Sequence, residues 1–320
     1  MNHICQTIQF LVKNLKILWK FSRPHTIIGT IVSVTSLFII SNQIQGIGYL
    51  QNWGVLIVTL MSCLGCNLYI TGLNQIYDVE LDKINKPNLP IASGELSSAD
   101  AKKIAIVSLS IAIFCAYIQN FYFGGLITSI AIIGSLYSIP PVRLKKYHFW
   151  AATAISIVRG PLVNLGIYIH FYYTTHGLPI TFNSEIILLT FIITAFSIGI
   201  AWFKDIPDYE GDKLFNINTL TVKLSKKKTL QLGLIMVSSA YIISIIYAFY
   251  PEFFGLNYSP DPMNTPSKKI AFGIFQTMCL GIICIPGLTL NTDNQTSVKR
   301  FYMLYWVMFF LEYLGFVLLY

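Results

Sequence analysis

Charge is scarce in this chain. Only 11% of its 320 residues are Asp, Glu, Lys or Arg, 54% are hydrophobic, and the mean hydropathy is +0.62. A soluble globular domain carries about 25% charged residues, so a water-soluble fold is excluded, and the length suits roughly nine bilayer spans joined by short loops. The net charge is +8, but the basic residues lie between apolar runs and form no patch. That excludes nucleic acid as a partner and leaves the lipid bilayer. No stretch alternates apolar and polar over about ten residues, which excludes a transmembrane β-barrel. Of the six cysteines, five lie in apolar runs (Cys63, Cys66, Cys115, Cys279, Cys284) and Cys5 lies near the start. Cys63-x-x-Cys66 has no second pair and no charged surroundings, so it is read as small residues that let helices approach, not as a zinc site. The first residues carry no small-residue cleavage site and are not Ser- and Arg-rich, so neither a signal peptide nor a transit peptide is expected.

Apolar runs fill the rest, at about 24–42, 53–77, 104–121, 122–139, 149–173, 186–203, 229–250, 270–290 and 301–320. The expected fold is all-α and polytopic, a single nine-helix domain over residues 24–320. Residues 1–23 mix Phe10, Leu11, Leu15, Ile17, Leu18 and Trp19 with Lys13, Lys16 and Lys20, the pattern of an amphipathic segment lying on a membrane surface. Of the 22 basic residues, 19 fall in the N-terminal segment or in the loops after spans 2, 4, 6 and 8. Lys268 and Lys269 fall on the other side, and Arg159 lies inside span 5. By the positive-inside bias, the N-terminus and the even-numbered loops face the cytoplasm or stroma.

Two acidic motifs sit in those even-numbered loops. Asn74, Asp78 and Asp82 are spaced four apart, and Asp205, Asp208 and Asp212 are spaced three and then four apart. On a helix either set shares one face. Carboxylates one turn apart repel, so their loss is expected to relieve strain, and their natural partner is a hard divalent cation. Mg²⁺ takes one or two carboxylates together with phosphate oxygens, which points to a diphosphate ligand. Arg23, Arg143, Lys145 and Lys204, placed on the same face by the topology, are the candidate phosphate clamp. The loops after spans 2 and 6 share a plan of acidic ladder, basic residues and Lys-flanked helix, which suggests an ancient repeat. Arg159 and Glu312 are charges inside spans and functional by default, with a pairing between them conceivable. Asn164 is read as a helix-packing hydrogen bonder.

Asn74-x-x-x-Asp78-x-x-x-Asp82, Asp208-x-x-x-Asp212 and nine helices together resemble the UbiA-type intramembrane aromatic prenyltransferases. The resemblance is closest to their homogentisate phytyltransferase branch in cyanobacteria and plastids. Phe21 through Thr26, Asn85 through Glu95, Tyr137 through Lys145, Val158-Arg159-Gly160 with Val163 through Gly166, and Lys204 through Asp212 extend it over nearly the whole chain. The resemblance implies a helical bundle around a central cavity and Mg²⁺ held by Asp78, Asp82, Asp208 and Asp212. It also implies catalytic roles for Asn74 and Asp205, and substrate binding by Arg23, Tyr137, Arg143, Lys145, Arg159 and Lys204. The implied reaction is transfer of a phytyl or other prenyl group from its diphosphate to homogentisate, with decarboxylation, in a plastid or cyanobacterial membrane. A relative with another tail or acceptor is the nearest alternative, such as a homogentisate solanesyl- or geranylgeranyltransferase or a chlorophyll synthase. A cation transporter is a more distant one, set aside because transporters bind near the midplane. The D-G-x-x-A-R signature of CDP-alcohol phosphotransferases is absent.

Overall fold

The computed structural model describes residues 2–48, 51–180, 182–250 and 265–319. In hydrocarbon every backbone polar group must be satisfied within its own segment, and the apolar runs are helical throughout. The chain opens with α1 (Asn2–Phe21), α2 (Pro24–Ile44) and α3 (Trp53–Tyr77), followed by the short α4 (Val79–Asn85). Next come α5 (Ser98–Gln119), α6 (Phe121–Ser138), α7 (His148–Ile157) and α8 (Val163–His176), the last two joined by a π-helical turn at Val158–Leu162. The remainder is α9 (Ser184–Phe203), the short α10 (Tyr209–Leu214) and α11 (Leu220–Leu224), then α12 (Lys226–Phe249), α13 (Pro266–Leu288) and α14 (Gln295–Leu319). Among the described residues nine helical stretches are long and apolar enough to cross a bilayer, with α7, the π turn and α8 making one of them. The only β pairing among those residues is an isolated bridge between Tyr147 and Asn218.

The span starts differ from the apolar runs in one consistent way. α5, α12, α13 and α14 each begin three to six residues before the run does. Their first turns carry Asp100, Lys102 and Lys103, Lys226 to Lys228, Lys268 and Lys269, or Lys299 and Arg300. These residues are helical without being apolar. Caps fix several of these starts: Ser97 Oγ accepts from Asp100 N at 3.0 Å and Ser225 Oγ from Lys228 N at 3.3 Å. The faint break between spans 3 and 4 is a single residue, Asn120, whose Oδ1 accepts from Phe123 N at 2.8 Å.

The helices group into two compact units. The first comprises residues 1–31 and 57–143, and the second residues 32–56 and 144–320. In the first, the fully buried Phe21 at the end of α1 packs with Ile91, Ala101, Leu68, Ile76 and Val79. Gly72 leaves room for its ring, since a Cβ there would sit 2.9 Å from the Phe21 Cζ. Gln75 Nε2 donates to the Phe21 carbonyl at 2.6 Å, and Lys20 pairs with Glu95 at 3.0 Å. The loop from Lys86 to Glu95 is thereby pinned beside α3 and α4. The expected amphipathic segment is thus a helix, with Leu15, Leu18 and Trp19 exposed; the side chains of residues 1–11 lie outside the described residues.

In the second unit α9 packs against α7, the π turn, α8, α12 and α14. Nearly three quarters of this span is buried in protein, against half or less for every other span. Its mid-span hydroxyls serve their own helix: Thr190, Thr194 and Ser197 donate to the carbonyls of Ile186, Thr190 and Ile193 at 2.6–2.7 Å. Phe196 and Phe203 on α9 meet Tyr305 on α14 with ring centroids 4.8 and 4.9 Å apart. Glu312 is fully buried and accepts from Tyr241 Oη and Gln276 Nε2, both at 3.0 Å. These partners on α12 and α13 take the carboxylate that sequence reading held ready for Arg159.

Candidate functional site

The first acidic motif does not lie on one continuous helix. α3 ends at Tyr77, and Asp78 (φ −114°, ψ 14°) stands at the break as the N-cap position of α4. Asp is favoured there because its carboxylate ordinarily accepts from the new helix's free N–H groups, yet the Asp78 side chain makes no such cap bond. Its Oδ1 accepts instead from Arg143 Nη2 at 2.9 Å, with Asp78 buried and Arg143 mostly so. One turn on, the Asp82 N–H closes the turn onto the Asp78 carbonyl at 2.7 Å, which sets a second buried carboxylate beside the first. On the preceding turn, Asn74 Oδ1 accepts from Arg23 Nη2 at 3.0 Å. The expected relief of repulsion on removing Asp78 is therefore overturned, because Asp78 neutralises an arginine.

Both arginines sit on strained backbone. Arg23 has φ 54° and Arg143 φ 41°, the left-handed region where a Cβ is penalised and where functional residues gather. The Nε atoms of Arg23 and Arg143 are buried without an acceptor. Burial lowers the Arg143 pKa from its ordinary value, although an arginine stays charged in a protein. Two buried N–H groups on cations, beside two buried carboxylates, form a surface chemically suited to an oxyanion with its counter-cation. Tyr137 lies half-buried at the end of α6 in the same unit, ahead of the Ile139-Pro140-Pro141 stop.

The second motif repeats the local design. α9 ends at Phe203, Lys204 to Asp208 form turns, and Asp208 (φ −88°, ψ 1°) is the N-cap position of α10, again without a side-chain cap bond. Asp212 N donates to the Asp208 carbonyl at 3.0 Å, and both carboxylates are buried. The turns at residues 204–208, with Pro207 disfavouring a helix there, interrupt the helix, so Asp205, Asp208 and Asp212 do not share one helical face. Lys204 Nζ pairs with Asp205 at 2.9 Å. Lys145 is buried in a 3₁₀ turn at Leu144–Lys146. That turn is stitched to the segment after α10 by Asn218 N to the Lys146 carbonyl and His148 N to the Asn218 carbonyl, both 3.2 Å. The aspartate pair and Lys145 thus belong to neighbouring segments of the second unit.

Arg159 lies in the π turn, with its guanidinium carbon 4.6 Å from the Trp306 ring centroid, a cation–π contact. Sequence reading passed over Trp306, Tyr313 and the use made of Asn164. The available signal was Pro161 inside an apolar run, which denies the helix one N–H and obliges other groups to serve the backbone. Among the described residues no group of three or more His, Cys, Asp or Glu is arranged to hold a metal. Each unit offers instead one pair of buried aspartates four apart. This donor set fits Mg²⁺, which needs only one or two protein carboxylates when phosphate and water complete its shell.

Residues 37–259 match the model of the UbiA prenyltransferase family. The homogentisate phytyltransferase of Synechocystis sp. is 37% identical over 301 residues, covering 92% of each chain. The chloroplastic homogentisate solanesyltransferase of Arabidopsis thaliana is 36% identical over 310 residues, 93% of this chain and 75% of that one. Among solved structures, a UbiA homolog from Archaeoglobus fulgidus bound to DMAPP and Mg²⁺ superposes with a TM-score of 0.62. It is 16% identical and covers 92% of this chain and 98% of its own.

Proposed function

Since the chain belongs to the UbiA prenyltransferase family, we propose that it transfers a phytyl or closely related prenyl group from its diphosphate to homogentisate within a membrane. The observation that carries this reading is the 37% identity to a homogentisate phytyltransferase across nine tenths of both chains.

Asp78 with Asp82, and Asp208 with Asp212, are the groups that would hold Mg²⁺. When bound, the metal offsets the charge of the departing diphosphate. Arg23 and Arg143 each have a buried Nε–H to offer a phosphate oxygen, and cations aimed at developing charge stabilise the transition state most where water is excluded. Asn74 holds the Arg23 guanidinium in place. Lys145 and Lys204 add positive charge in the second unit, and the half-buried Tyr137 at the end of α6 is assigned to substrate binding in the first. Loss of diphosphate leaves an allylic cation, which a ring carbon of homogentisate attacks. The ring then loses its proton, and the carboxymethyl group takes one up as CO₂ leaves, ending as a methyl. A tail of about twenty carbons gains roughly 0.8 kcal/mol per buried CH₂, which accounts for a bilayer enzyme.

A solanesyl tail is the second reading, favoured by the 36% identity to a homogentisate solanesyltransferase. The test supplies carboxyl-labelled homogentisate and Mg²⁺ with phytyl, geranylgeranyl or solanesyl diphosphate to purified protein. Labelled CO₂ and a phytylated methylquinol are expected. A preference for solanesyl diphosphate overturns the tail, and retention of the label in the product overturns the acceptor chemistry. Asp78→Ala is expected to remove nearly all turnover. It also costs about 3 kcal/mol of stability, because Arg143 is left without its carboxylate. Melting in detergent alongside the turnover assay checks both outcomes.

A further inference from the structure

The π-helical turn at Val158–Leu162 lies inside a membrane span. π turns are rare and concentrate at functional sites, and an arginine at membrane depth is costly and marks a functional site by default. This turn carries both features, since Arg159 is its second residue. It is held from three directions. Asn164 Nδ2 donates to the carbonyls of Arg159 and Gly160 at 2.8 and 2.7 Å. Tyr313 Oη on α14 donates to Asn164 Oδ1 at 2.8 Å, with Asn164 and Tyr313 fully buried. On the third side the turn presses on α9, where a Cβ at Gly160 would strike Thr194 Oγ1. Trp306 precedes Tyr313 by seven residues on α14, two turns along the same face. One face of α14 therefore grips the backbone of the turn through Tyr313 and Asn164 and seats its guanidinium through Trp306.

A helix-packing asparagine would need only one partner across the interface. Here the amide spends both donor bonds on the carbonyl of the charge-bearing residue itself and on that of the next residue. We propose that Asn164 and Tyr313 are positioning residues. They hold the π turn so that Arg159, seated over Trp306, binds an anionic oxygen group of substrate. Two groups share that chemistry, the acceptor carboxylate and the donor diphosphate, and planar guanidinium suits either. The inference rests on the prenyl-transfer reading for its choice of substrates.

The test measures kcat and both KM values for wild type, Arg159→Gln, Arg159→Lys, Asn164→Leu, Tyr313→Phe and the Arg159→Gln/Tyr313→Phe double variant. Arg159→Gln is expected to raise the KM of one substrate about tenfold or more, the cost of a hydrogen bond to a charged group. Tyr313→Phe and Asn164→Leu should raise the same KM by a smaller factor and leave the other KM unmoved, with Arg159→Lys recovering part of the loss. A rise for homogentisate identifies the carboxylate, and a rise for the prenyl diphosphate identifies the phosphate. In the double variant Tyr313→Phe should add nothing, because it acts through Arg159. Additive losses, equal rises in both KM values, or a changed melting temperature with unchanged KM would overturn the proposal. Should Asn164→Leu fail to fold, Tyr313→Phe, which deletes one oxygen, decides alone. Equilibrium binding of homogentisate and of inorganic pyrophosphate to the same proteins separates this inference from the reading beneath it. Binding that depends on Arg159 and Tyr313 without turnover of homogentisate refutes only the assigned reaction. Binding that ignores both residues refutes the positioning role.

Discussion

Arg23 and Arg143 each adopt positive φ and each spend a guanidinium on the first aspartate motif. Their backbone strain and their charge can be separated by substitution. Arg143→Ala and Arg143→Gly both remove the cation beside Asp78 and should lower turnover together. Only glycine relaxes the backbone, so Arg143→Gly should be the more stable of the two by about 1 kcal/mol, read from unfolding in detergent. Equal stabilities would mean that φ 41° carries no strain. The residues of this site were visible in the sequence as types and spacings, but their pairings were not. Nothing in the order of residues joins Arg143 to Asp78, 65 positions away; only the packing of the first unit does.

At the scale of elements, the sequence marked spans well and interruptions badly. A spacing of four predicts one helical face, whereas Asp78 and Asp208 each stand where one helix stops and another starts. The competing signals were legible: Asp is a preferred N-cap residue, and Pro207 is costly inside a helix. Pro161 was the reverse case, since the span continues through it by changing to a π turn. Asn120 gives a plain test of how such breaks are held. It is the single residue between α5 and α6, and Asn120→Ala removes the cap on Phe123 N. Stability should fall by about 1 kcal/mol while both KM values stay unchanged. A loss of activity without a loss of stability would assign Asn120 to the chemistry instead.

For the molecule as a whole, hydropathy and charge were enough to give the nine spans, because the bilayer leaves a backbone few choices. The grouping of residues 32–56 with 144–320 was beyond them, since it depends on which apolar faces meet. The basic asymmetry still makes a firm prediction. Single cysteines introduced at positions 90 and 215 should react with an impermeant thiol reagent from one side of the membrane, and one at position 268 from the other. Labelling of 90 and 215 from opposite sides would refute the topology. Cys63, Cys66, Cys115 and Cys279 are buried, so Cys5 and the half-buried Cys284 are the native cysteines to replace before labelling.

The burial of α9 bears on how the chain is made. Synthesis runs from the N-terminus, so α9 enters the bilayer before α12 and α14, two of the helices that later enclose it. In that interval its future protein-facing surface is wetted by lipid tails. It is the most apolar of the nine spans, and Thr190, Thr194 and Ser197 are already bonded to its own backbone. Those three hydroxyls need no partner from outside the helix, and the segment exchanges lipid neighbours for Tyr305 and Phe309 when the last helix arrives.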